Sequence, residues 1–164
     1  MHYMKLDAIG RQELLAELES MPGFLEQVFA GLSADQIAIP GPEGLFSPVE
    51  QVWHLADLER EGFGVRIDRL QRELNPQLPD FDGAAVAAAR NYRGLSLAAG
   101  LAAFKSARVS NVQRLRDLPE AAWTRSGTQE GVGKVSLCDI PSMVRAHDEA
   151  HKQEIARWRV SAGR

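Results

Sequence analysis

Cysteine is nearly absent from this chain: Cys138 is the single one in 164 residues. No internal disulfide can form, and a reducing, cytoplasmic setting is expected. No apolar run approaches the roughly 18 residues of a membrane-spanning helix, so no membrane partner is expected. The opening Met1-His2-Tyr3-Met4-Lys5 lacks the apolar centre of a secretory signal. Neither sign of charge dominates, since 19 Lys and Arg face 22 Asp and Glu for a net charge of −3. That balance draws the chain neither to nucleic acid nor to anionic lipid. Repeats, low-complexity tracts and linker-like composition shifts are missing, so residues 1–164 read as one domain. No Gly-x-Ser-x-Gly turn, phosphate loop or dinucleotide loop occurs, and Cys138 reads as a small buried residue, not a nucleophile.

What is present is apolar spacing at steps of three and four, the mark of amphipathic helices. Leu14, Leu15, Leu18, Met21, Leu25, Val28, Phe29 and Leu32 outline the first, ending at Gly31. Pro22-Gly23 implies a kink there, or a helix that starts at Pro22 with Ser20 near its cap. Ile39 to Gly44 is a loop by its proline and glycine content. Ser47-Pro48-Val49-Glu50 then spells a capping box with proline in the first turn. The second helix should run to about Leu74, with Val49, Val52, Trp53, Ala56, Phe63, Ile67, Leu70 and Leu74 inward.

Residues 75–93 form a long connection with one short helix near Ala84 to Arg90. Such a length lets helices two and three run parallel. The third helix is expected from about Ser96 to Leu118. Its stripe is Leu97, Leu101, Phe104, Ala107, Val109, Val112, Leu115 and Leu118. Lys105, Arg108, Arg114 and Arg116 are expected on a solvated face. Pro119 ends it, and Thr124 to Lys134 reads as a loop or hairpin. The last helix is placed from Ser136, with Asp139 completing a box and Pro141 delaying it by about a turn. The fold class is all-α, a four-helix bundle.

The last helix carries the chemistry. Leu137, Ile140, Val144, His147, His151, Ile155 and Trp158 share one face. His147 and His151, four residues apart, lie about 40° apart around the axis and roughly 6 Å along it. A histidine on an apolar face is most often a core residue with one hydrogen bond. A third ligand changes that, because two protein ligands rarely hold a metal. His54, about two turns into the second helix, supplies one, since bundle cores build sites from facing helices. Three imidazoles with no fourth protein ligand leave a position for substrate. Such donors suit zinc or nickel, and iron as well. Cys138 is too far from His147 along the helix to join them. Asp57, Asp148 and Glu154 are all near enough in sequence to support the outer ring nitrogens, and spacing does not choose among them.

Phe46-Ser47-Pro48-Val49-Glu50 with His54-Leu55, and His147-Asp148-x-x-His151, resemble the DinB/YfiT-like superfamily over nearly the whole chain. Gly41-Pro42, Phe81-Asp82, Phe104 with Arg108, and Leu118 with Trp123 fit the same pattern. The resemblance implies an up-down-down-up bundle, a homodimer, and a divalent metal on His54, His147 and His151. It also implies thiol chemistry on a small-molecule substrate, with a low-molecular-weight thiol as cosubstrate. Phe46 stands where Trp is usual, and Glu154 where Gln is common. Three activities are carried forward: metal-dependent thiol S-transfer, hydrolysis by metal-activated water, and metal binding in a stress response without catalysis.

Overall fold

The computed structural model describes residues 6–163, so the Met1 to Lys5 start lies outside the described residues. The first segment is two helices. α1 (Ala8–Leu18) is capped by Asp7, whose carboxylate accepts from the Gly10 N–H. α2 (Met21–Val28) follows Ser20 with Pro22 in its first turn, where no hydrogen bond is lost. After the short α3 (Ala34–Ile37), α4 (Pro48–Asp57) opens on the box its sequence spells. The Ser47 N–H and hydroxyl both reach Glu50 Oε2, at 2.9 and 2.8 Å.

The second long helix is not uniform. Leu58–Phe63 forms a π-helical turn before α5 (Gly64–Arg72) continues. Such a turn accommodates an extra residue within the helix, and Glu59 inside it is buried. The helix stops at Arg72, short of Leu74. Glu73 is already extended and Asn75 is left-handed, so Leu74 falls outside the stripe and is 89 % exposed.

The connection holds β1 (Gln77–Leu78) and α6 (Gly83–Arg90). α7 (Leu97–Arg116) is capped by Ser96, whose Oγ accepts from the Ala99 N–H. The polar stretch after it is a hairpin, β2 (Ser126–Gln129) and β3 (Gly133–Ser136). β1 adds to β2 in parallel, making a small three-stranded sheet on an otherwise helical fold. Gly127 is needed there, because a Cβ would lie 2.4 Å from the Pro76 carbonyl oxygen. α8 (Ile140–Ser161) starts a turn after Ser136, with Pro141 in its first turn. Asp139 Oδ2 accepts from the Ser136 N–H and hydroxyl at 2.8 and 2.7 Å.

Contacts give the directions. α7 advances with α4 and α5: Trp53 Nε1–H donates to Ser96 O, Asn111 reaches Glu59, and Arg114 reaches Asp68. Those two segments are therefore parallel. α8 runs against α4, with Gln51 opposite Glu154 and His54 opposite His147. α8 runs with α1 and α2, since Arg145 faces Glu17 and Trp158 packs edge-on to Phe29. The order is up-down-down-up. No helix among the described residues is long and apolar enough to cross a membrane.

The face of α7 expected to be solvated does not hold Arg108, which is 1 % exposed, whereas Val109 of the expected stripe is 54 % exposed. Phe104, Arg108, Asn111 and Leu115 follow the inward line by steps of four, three and four, and Val109 lies a further 100° round. Lys105, Arg114 and Arg116 do lie outward, against Glu26, Asp68 and Glu19.

Candidate metal centre

Antiparallel packing of α8 on α4 brings the three histidines together. His147 Nε2 is the hub, 3.4 Å from His54 Nε2 and 3.2 Å from His151 Nε2. Nitrogens bound tetrahedrally at roughly 2.0–2.1 Å from one ion sit about 3.3 Å apart. His54 and His151 are buried, and His147 is half-buried. His54, about two turns into the second long helix, thus faces inward. Cys138 is buried elsewhere and does not join the cluster.

Burial strips these rings of the water that would solvate a charge. It is the largest cause holding His54 and His151 at about 4, below the ordinary 6.5. Repulsion from a charged His151 adds to the effect at His54, and Glu154 and Asp57 oppose it. His147 is lowered further, by burial first, then by His151, His54, Arg108 and Arg66. All three are neutral at pH 7, as metal ligation requires.

Gln51 and Glu154 set the proton on His151. Gln51 Nε2–H donates to Glu154 Oε2 at 2.8 Å, which fixes the amide and turns its carbonyl oxygen to His151 Nδ1. That oxygen only accepts, so Nδ1 carries the proton and Nε2 presents its lone pair to the cluster. Of the three acids near in sequence, Glu154 is therefore the one that serves the site, through Gln51. Sequence reasoning missed Gln51, although it lies one turn before His54 on the same face. His54 has no such support: among the described residues, its buried Nδ1 is without a partner. Gly83 packs against that ring, and a Cβ there would lie 2.3 Å from His54 Cε1.

Asp148 and Asp57 serve the frame. Arg108 makes two bonds to Asp148, at 2.7 and 2.9 Å, reaches Glu59 at 3.0 Å, and donates to Leu18 O. Asn111 Nδ2–H donates to Glu59 as well. This buried group braces α8 against α7 and the π turn. Asp57, buried in α4, takes Arg90 and Tyr92 from the connection and Arg60 from its own helix. It thereby holds α6 over His54.

A cleft of about 250 Å³ reaches His54 and His147, with Leu58, Phe63, Arg66, Phe81 and Met143 completing its wall. Aromatic rings crowd the donors: Phe46 lies 5.3 Å and Phe81 6.0 Å from His54, centroid to centroid, and Phe63 meets His147 edge-on. Phe46, against His54, and Glu154, behind Gln51, thus both lie at the site.

A search of curated proteins finds no match to this chain. Among solved structures, YfiT from Bacillus subtilis superposes with a TM-score of 0.90 at 18 % identity, over 99 % of this chain and 93 % of its own. It is described as a probable metal-dependent hydrolase with an unusual four-helix bundle topology. The mycothiol-dependent maleylpyruvate isomerase superposes with a TM-score of 0.70 at 11 % identity, over 88 % of this chain. The chain spans 60 % of the length of that isomerase. The sequence model of the DinB superfamily matches residues 17–155, a span that includes all three histidines. The chain belongs to the DinB superfamily.

Proposed function

We propose that the chain is a divalent-metal-dependent enzyme in which His54, His147 and His151 hold the ion, zinc or nickel before iron. The carrying observation is the gathering of three Nε2 atoms beside an open cleft. A divalent ion supplies Lewis acidity, which lowers the pKa of a thiol or of water and polarises a carbonyl. The chain's own residues do the rest. Gln51 keeps the His151 lone pair available, and Phe46, Phe63 and Phe81 crowd the donors with apolar surface.

The wall of the cleft favours a thiol as nucleophile. It contains no Asp or Glu to take a proton from water. A thiol, with pKa about 8.5, needs far less help than water at about 15.7. The reading is thiol S-transfer from a low-molecular-weight thiol to a small electrophile. Hydrolysis is the second reading, supported by the description of YfiT. The setting proposed is cytoplasmic, and the assembly a homodimer, which a monomer mass by sedimentation would overturn.

Elemental analysis of untagged protein tests the site. About one ion per chain is expected, lost in His54→Ala, His147→Ala and His151→Ala. No metal after reloading would return the histidines to the core. Turnover of an electrophile that requires added thiol and fails in His151→Ala supports transfer; turnover without thiol selects hydrolysis. Metal without any turnover would make the protein a metal binder.

A further inference from the structure

Arg66 is more than the fold requires of it. It stands on α5, is 4 % exposed, and lines the cleft that reaches His54 and His147. Its Nε–H donates to Pro79 O at 3.1 Å. Its anionic neighbour, Asp80, is 4.0 Å from Nη2 and has a side chain 72 % exposed. Among the described residues, neither terminal nitrogen has an acceptor at bonding distance, and neither is sealed from solvent. Bracing the Pro79 carbonyl uses Nε alone and leaves the fork free.

The surroundings raise the cost of that free fork. The guanidinium carbon lies 5.4 Å from the centre of the Phe63 ring, and that contact, with apolar Leu58, Phe81 and Met143 around it, returns only part of the hydration a cation loses on burial. Burial lowers the Arg66 pKa, and distant Asp80 opposes this as the lesser effect. A planar guanidinium with two free ends matches a carboxylate through two parallel bonds. Among the described residues of the wall, Arg66 is the one Lys or Arg, so it offers a single carboxylate a single side-chain partner. Its volume of about 250 Å³ equals roughly eight waters, enough for a short carbon skeleton.

We propose that Arg66 is the anion-recognition residue of this cleft, and that the reactant it selects is a small organic acid. The carboxylate pairs with the guanidinium while the reactive end lies at the three histidines. The second half of that statement rests on the metal-enzyme reading above. The carboxylate belongs either to the thiol or to the molecule it attacks.

Titration calorimetry on wild type and Arg66→Met, metal-loaded and metal-stripped, tests this with propionate, propionamide, 3-mercaptopropionate and 2-mercaptoethanol. Wild type should bind propionate roughly tenfold or more tightly than propionamide, the scale of one charge-assisted interaction. In the metal-stripped protein Arg66→Met should erase the difference. Because Arg66 and not the ion makes the contact, the preference should survive metal removal. A gain of 3-mercaptopropionate over propionate in the loaded protein places the carboxylate on the thiol; equal binding places it on the other reactant. Equal affinity of wild type for propionate and propionamide overturns the proposal, and needs no variant to fold. A preference that persists in metal-stripped Arg66→Met overturns it too. If elemental analysis finds no metal, the reactive end fails, while the carboxylate preference still stands or falls on Arg66.

Discussion

The amide of Gln51 and the missing side chain of Gly83 act on two of the clustered histidines in different ways. Gln51 fixes which His151 nitrogen is free to bind, so Gln51→Met should weaken metal binding about 10- to 100-fold. Competition with a chelating dye measures that, and an unchanged melting curve separates it from unfolding. Gly83 limits where the His54 ring can lie. In Gly83→Ala the new Cβ would be 2.3 Å from Cε1 and 2.6 Å from Nδ1, so either the ring or α6 must move. The expected cost is about 1–3 kcal/mol in urea denaturation, together with weaker metal binding. Unchanged affinity in this variant would mean that α6 yields and the ring does not. The clustering of the three histidines was legible because two share a helical face and the third follows a recognisable helix start. Gln51, Gly83 and Arg66 were not, because each matters only through a neighbour far along the chain.

Elements that begin with local chemistry were readable: Ser47 with Glu50, Ser96, and Pro141 all act within a turn of their own position. The break at Pro22, the long connection and the parallel second and third helices followed from the same kind of local signal. Two features escaped. The π turn at Leu58–Phe63 has no sequence mark of its own. Strand β1 consists of two residues, whose pairing partners Thr128 and Gln129 lie beyond a whole helix. Arg108 is the sharpest case, since its partners Asp148 and Glu59 come from two other elements. Replacing it by Met would leave two buried carboxylates without their cation. Arg108→Met should therefore lose about 3–5 kcal/mol of stability in urea denaturation. A much smaller loss would mean that the carboxylates take up protons and tolerate each other.

For the molecule as a whole, the histidine cluster makes stability depend on pH. In the metal-free protein His54 and His151 titrate near 4 and His147 lower, against 6.5 when unfolded. Between those values the unfolded chain binds more protons than the folded one. Stability is thus fully present above about pH 6.5 and falls as pH drops toward 4, by up to about 1.4 kcal/mol per pH unit for each histidine. Urea midpoints measured on both sides of 6.5 check this. A flat profile would show that the rings accept protons while folded.

The 93 positions that separate His147 from His54 also impose a schedule on synthesis. At translation speeds of 5–20 residues per second, roughly 5 to 20 seconds separate the two on a ribosome. During that interval α4 has been made and α8 has not, so of the three clustered imidazoles only that of His54 exists. The donor set closes only once the last helix has been released and docked. Under the proposed metal reading, loading is thereby deferred to the finished protein, because the order of translation keeps the three donors apart until the last helix docks.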